Sequence, residues 1–236
     1  MTLHNTPKLL QYLRLFLGAI VLSTAVSACR TSTQPPLSSA SVDPTTSSTP
    51  PPSGMMDHSK MSQGMMNQKM ELGPADANYD LRFIDAMIPH HEGAVMMAND
   101  VLKKSKRPEL KQLAKAIVSA QDKEIIQMQQ WRKDWYPKSP NAPMAWNVEM
   151  NHMMAMKPDQ MSAMRMNMDL GKADLDYDLR FINAMVPHHE AAVIMAKDLA
   201  QKTKRPELQK LAKEVVSSQQ SEIDQMNQWR KTWYGK

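Results

Sequence analysis

The 236-residue sequence predicts an all-α protein, an antiparallel four-helix bundle made of two duplicated helical hairpins behind a disordered N-terminal segment. Three observations predict it. Residues 79–136 and 177–234 align without a gap at an offset of 98 residues, with 39 of 58 positions identical. Within each copy, apolar residues recur at helical spacing in two runs separated by Lys-Arg-Pro-Glu-Leu. Only 7 Gly, 3 Phe and a single Cys argue against a Gly-rich phosphate-binding fold, a large β-sandwich, a disulfide framework and any cluster of thiolates. The opposite excess is methionine, 23 residues that are unevenly spread.

Residues 1–28 carry Lys8 and Arg14, then an apolar run from Leu15 to Val26 with small residues near its end and no acidic residue. That is the anatomy of an export signal, and the run is too short and poorly flanked for a transmembrane helix. Val26-Ser27-Ala28-Cys29 resembles a bacterial lipobox, by which Cys29 would carry lipid and tether the mature chain to a membrane. Ordinary cleavage after Ala28 is the other outcome. Either way the expected address is periplasmic or otherwise extracytoplasmic. Residues 29–54 form a linker, and Ser, Thr and Pro make up 18 of the 25 residues in 30–54, too little apolar side chain to bury.

Residues 55–75 are rich in methionine, with Met55, Met56, Met61, Met65, Met66, Met70 and also His58. The first hairpin is expected over 76–137. Its first helix carries Ile84, Met87, His91, Ala98 and Leu102 on one stripe, and its second Leu110, Leu113, Ile117, Met128 and Trp131. Pro108 suits the first turn of the second helix. A second methionine-rich stretch, the connector 138–172, includes Met150, His152, Met153, Met154 and Met156. The second hairpin then spans 173–236, with Pro206 in the place of Pro108. Pro89 and Pro187 fall inside the first helix of each unit, where a kink is expected unless proline starts the main helix. Short-looped hairpins with one apolar stripe each close most simply into an antiparallel bundle.

Both units place polar groups on that stripe. His91 lies four residues after Met87, and Glu124 four before Met128, with Gln121 just above; the second unit keeps Met185, His189, Gln219, Glu222 and Met226. His90 and His188 point about 100° away, towards Met97 and Met195. Such groups are costly to bury unless they satisfy each other or hold a metal, and both readings stay open on the residues alone. Thioether and imidazole together suit copper, thioether above all Cu(I). A di-iron site would need Glu-x-x-His on two helices, and none occurs. The methionine-rich stretches are otherwise Ser, Gln, Asn, Lys and Asp, which points to mobile capture of soft metal more than to core filling. The net charge of +5 falls to +3 once the leader is removed, and it is scattered, so nucleic acid is not an expected partner.

The segments DLRFIDAMIPHHEGAVMMA and EIIQMQQW, present twice in near-identical form, resemble the ferritin-like domain-of-unknown-function family that includes CopM-type copper-binding proteins, and MDHSKM is similar to the methionine motifs of periplasmic copper-resistance proteins. The resemblance covers residues 55–236. It implies a helical bundle outside the cytoplasm that binds copper, with silver as a surrogate, and supports copper resistance. It also implies metal residues at Met87, His90, His91, Met97 and Met128, and at Met185, His188, His189, Met195 and Met226. The expected function is capture of Cu(I), with Cu(II) at the histidines, for buffering or delivery to a periplasmic or membrane copper transporter or sensor. No catalytic nucleophile arrangement is visible, so a binding protein is expected, not an enzyme. The rival readings are a periplasmic copper redox enzyme and an adaptor bundle with a methionine-rich partner surface.

Overall fold

The structure is a computed structural model, and it describes residues 71–236. The expectations for the leader, Cys29, the linker, and Met55, Met56, His58, Met61, Met65, Met66 and Met70 lie outside the described residues. Five helices and one small hairpin follow: α1 Tyr79–Lys104, α2 Pro108–Trp135, β1 Met144–Asn147, β2 His152–Ala155, α3 Pro158–Arg165, α4 Tyr177–Lys202 and α5 Pro206–Tyr234. The four long helices are the anticipated two hairpins.

The breaks between paired helices follow from local chemistry. Arg107 and Arg205 are extended because each precedes a proline, which disfavours the helical conformation there. The Ser105 hydroxyl accepts the Arg107 N–H at 3.1 Å, and Thr203 does the same for Arg205 at 3.1 Å. Pro108 and Pro206 then open α2 and α5, where a missing N–H costs nothing. α1 and α4 run unbroken through Pro89 and Pro187, so neither proline starts a helix.

The two units interlock about a pseudo-twofold axis. Tyr79 donates its hydroxyl to Asp198 at 2.5 Å and Tyr177 donates to Asp100 at 2.8 Å. Arg205 pairs with Asp80 and lies 4.2 Å from the Trp135 ring centroid; Arg107 pairs with Asp178 and lies 4.2 Å from that of Trp233. The indoles beneath are stacked pairs one helical turn apart, Trp131 on Trp135 and Trp229 on Trp233. The apolar interior accordingly forms two clusters. One joins the start of α1 to the end of α4 and the start of α5, through Phe83, Ile84, Met87, Leu199, Leu208 and Val215. The other joins the end of α1 and the start of α2 to the start of α4, through Val101, Leu110, Ile117, Phe181, Ile182 and Met185.

The duplicated unit starts earlier than residue 79. Leu72 and Leu170 are both buried, Gly73 and Gly171 both have positive φ, and Arg82 and Arg180 donate Nε–H to the Leu72 and Leu170 carbonyls at 2.6 and 2.8 Å. At Gly73 a side chain is excluded twice over. Its φ is +77°, and a Cβ would lie 2.5 Å from the Trp146 ring.

The connector departs from the expectation of a mobile capture segment: it is folded onto α1. β1 and β2 pair antiparallel with Trp146 opposite Met153. Their turn is set by the Asn147 side chain, which accepts the Met150 N–H at 2.8 Å, and by Asn151 at φ +53°. Asp85 anchors the hairpin by accepting both Arg132 Nε–H and the Met144 N–H, the latter at 2.8 Å. Burial raises the Asp85 pKa, and the Arg132 and Met144 hydrogen bonds offset part of that cost. Asn183, the counterpart of Asp85, is exposed and holds no such hairpin, which explains the one acidic residue that the second α1-type helix lost. Met144, Met156 and Met164 are buried, whereas Met150 and Met168 are 63% and 61% exposed. The connector's methionines therefore divide between packing and solvent.

Candidate metal centre

Directly after each proline, a histidine enters the pseudo-twofold axis. The His90 and His188 rings stack with centroids 3.8 Å apart and planes 22° from parallel, both fully buried. His90 is closed by backbone on both sides, its Nδ1 2.8 Å from the Met164 carbonyl and its Nε2 3.0 Å from the His188 carbonyl. A neutral imidazole donates through one nitrogen only, so one of these contacts lacks a proton. His188 donates Nε2–H to the Arg165 carbonyl at 3.1 Å, and its buried Nδ1 has no partner.

One position on, the side chains turn to the paired helix. His91 Nε2 lies 2.6 Å from Glu124 Oε2, and His189 Nε2 lies 2.7 Å from Glu222 Oε2. The carboxylate accepts the Nε2 proton, which leaves the Nδ1 lone pair free for coordination. Nδ1 of His91 and Nδ1 of His189 are both buried with no hydrogen-bond partner, as are Oε1 of Gln121 and Oε1 of Gln219. Orphaned buried nitrogens of this kind are uncommon, and a ligand-oriented imidazole accounts for them. Glu124 and Glu222 stand behind the histidines, on Nε2.

The methionines sort across the axis. Met87, Met128 and Met195 belong to one packed cluster, and Met97, Met185 and Met226 to its mate. Sequence spacing groups Met97 with His90; the structure places it in the same packed cluster as the other unit's Met185 and Met226. Each thioether trio therefore draws on both hairpins. Among the described residues, no three His, Cys, Asp or Glu converge as a possible metal cage. The available donors are imidazole and thioether, soft ligands unsuited to Mg²⁺ or Ca²⁺. Of the connector residues, His152 is exposed with Nδ1 3.2 Å from the Met150 carbonyl, Met153 and Met154 are half-buried, and Met156 is buried.

Burial pushes the His90 pKa down to about 4 from 6.5 and holds His188 well below its ordinary value, with the neighbouring histidines adding to both shifts. Between pH 6.5 and 4 the unfolded chain therefore binds more protons than the folded one. Metal-free protein is expected to lose about 3 kcal/mol of stability through His90 alone as pH falls across that window. Urea denaturation at pH 7 and pH 4.5, with His90→Gln as a control of flattened dependence, checks this.

With that geometry in place, comparison with known proteins decides the family. The family model described as a domain of unknown function, DUF305, matches residues 28–132 and 80–230. The chain belongs to the DUF305 family. This DUF305 protein is similar to CopM solved in the Cu(I)-bound form, at 37% identity over 66% of this chain and 97% of CopM, with a TM-score of 0.52. CopM in the Cu(II)-bound form matches at 37% identity and a TM-score of 0.53, and CopM soaked with silver at 35% and 0.52, each over the same 66% of this chain and 97% of CopM. The uncharacterized protein L153 of Acanthamoeba polyphaga mimivirus is 42% identical over 50 residues, 21% of this chain and 33% of the viral protein. The fold of this DUF305 chain is thus the four-helix bundle anticipated from the repeat, and the ferritin-like fold that the resemblance implied.

Proposed function

We propose that this DUF305 protein is an exported copper-binding protein that captures and buffers copper, and passes it to a membrane or periplasmic transporter or sensor, without catalysing a reaction. The observation that carries the reading is the pair of carboxylate-oriented histidines, His91 and His189, whose buried Nδ1 atoms have no partner and whose helices carry buried thioethers. Copper here is cargo. His91 with Met87, Met128 and Met195, and His189 with Met185, Met226 and Met97, would supply two related soft centres. Imidazole also accepts Cu(II), whereas thioether favours Cu(I) and Ag(I). His90, closed by two backbone carbonyls, would join a centre only by giving up one of those contacts. The similarity to CopM, solved with Cu(I), Cu(II) and silver, supports the same ions as cargo. An export signal and a lipid on Cys29 would place this activity outside the cytoplasm at a membrane surface. Thioethers suit that place because, unlike thiols, they form no disulfides.

Competition titration of the full chain with Cu(I), Ag(I) and Zn²⁺ tests the proposal. Tight binding of both monovalent ions with at least a hundredfold weaker Zn²⁺ binding is expected. Equal affinity for Zn²⁺, or none for Cu(I), would refute it.

A further inference from the structure

Beneath the connector lies a small cavity of about 30 Å³, lined by Met144, Met156, Met164, Trp146 and Arg82 among others, on the side of α1 that the connector covers. The three methionines come from separate places: the first residue of β1, the residue after β2, and the last turn of α3. Each is no more than 9% exposed. The volume matches about one water molecule, but a buried water requires two to four good polar partners. Arg82 has most of its donors engaged elsewhere. Its Nε donates to the Leu72 carbonyl at 2.6 Å, and its two terminal nitrogens donate to the Pro74 carbonyl at 2.7 Å and to Asp76 at 2.9 Å, while its guanidinium lies 5.0 Å from the Trp146 ring centroid. Gln160 Oε1 is taken by the Lys157 N–H at 2.9 Å. Three thioether side chains share the lining with these largely engaged polar groups.

The bundle interior is filled mainly by Leu, Ile, Val, Phe and Ala. From these observations we infer that Met144, Met156 and Met164 form a thioether site for a soft monovalent cation, Cu(I) or Ag(I), distinct from the two histidine centres. The inference rests on the copper reading for the class of ion. Arg82 is neutralised by Asp76, and Glu71 is among the residues that line the same cavity. A divalent hard cation finds no oxygen cage there. Because the sulfurs belong to β1, the β2–α3 junction and α3, an ion held by all three ties these pieces of the connector together.

The test is Ag(I) titration of full-length protein carrying ¹³C-methyl methionine, followed by NMR and native mass spectrometry. The Met144, Met156 and Met164 methyl signals are expected to shift together, in the wild type and equally in His91→Ala/His189→Ala. Met144→Leu/Met156→Leu/Met164→Leu, which keeps apolar volume, is expected to bind one Ag(I) fewer than wild type. If that triple variant does not fold, the methyl shifts of the wild type decide alone. Silver bound elsewhere with these three methyls unmoved would overturn the inference and leave the histidine centres standing. No silver bound by any of these proteins would overturn both.

Discussion

Gly93→Ala is expected to detach the end of α3 from the bundle. A Cβ at Gly93 would lie 1.8 Å from the Arg165 carbonyl oxygen and 2.8 Å from its carbon. Both are backbone atoms, so no side-chain rotation relieves the clash, and the connector must move. The same carbonyl accepts His188 Nε2–H, and the preceding one, of Met164, faces His90. The Arg165–Glu92 ion pair sits beside them at 3.2 Å. The expected cost is about 3 kcal/mol, the upper end for overpacking a well-filled site. Alanine is otherwise the better helix former, so a destabilisation runs against helix propensity and isolates the clash. The counterpart, Ala191, already carries a Cβ, and Ala191→Gly should cost only about 1 kcal/mol, from propensity. Chemical denaturation of both variants gives the magnitudes. Limited proteolysis within 138–172 should be accelerated in Gly93→Ala alone.

The second large effect concerns the histidine centres. His91→Ala with His189→Ala is expected to abolish the two tightest Ag(I) equivalents. The variant also strips Glu124 and Glu222 of their partners and opens space in the interior, so a circular-dichroism melt must accompany the titration. Glu124→Gln with Glu222→Gln answers the same question without loss of the ring. The amide still fills the position, but it no longer holds the Nε2 proton as a carboxylate does. Soft-metal affinity should fall about 10- to 100-fold with stoichiometry unchanged, the usual consequence of losing an orienting partner behind a ligand histidine. Competition titration with a chelator of known affinity reads both variants.

These expectations show which parts of the molecule were legible from sequence. The helical hairpins were, because a gapless repeat with proline after each loop constrains both length and register. The His91–Glu124 and His189–Glu222 pairs were legible only in part: helical spacing put all four residues on the apolar stripe, but left open whether they satisfy each other or hold a metal. Helical spacing is blind across the axis, however. Met97 shares a helix with His90 and His91, yet it lies in the same packed cluster as Met185 and Met226, because α1 meets the second hairpin in reverse order. The folded connector was hidden for a different reason. Methionine reads equally as mobile ligand and as filler, and the anchors that settle the matter, Asp85 and Gly93, lie in another element. One signal was present and overlooked. Leu72-Gly73-Pro74-Ala75-Asp76 and Leu170-Gly171-Lys172-Ala173-Asp174 repeat at the same offset, and they mark the true start of each unit.

The divergence between the copies has a physical pattern. Asp85 against Asn183 and Gly93 against Ala191 are two of the contacts that receive the connector. The histidines, glutamates and six interior methionines stayed the same. Those two differences serve the covering of α1, whereas these kept histidines and methionines lie in the interior.

The central claim is that His91 and His189 bind soft metal through Nδ1 while their Nε2–H groups stay hydrogen-bonded to Glu124 and Glu222. ¹⁵N NMR of the histidine side chains during Ag(I) titration of the full chain measures this directly. The account predicts that the Nδ1 resonances of His91 and His189 move on binding and that their Nε2 atoms stay protonated. Coordination through Nε2 with the glutamates displaced, or silver bound with all four imidazoles of the two His-His pairs unchanged, would contradict it.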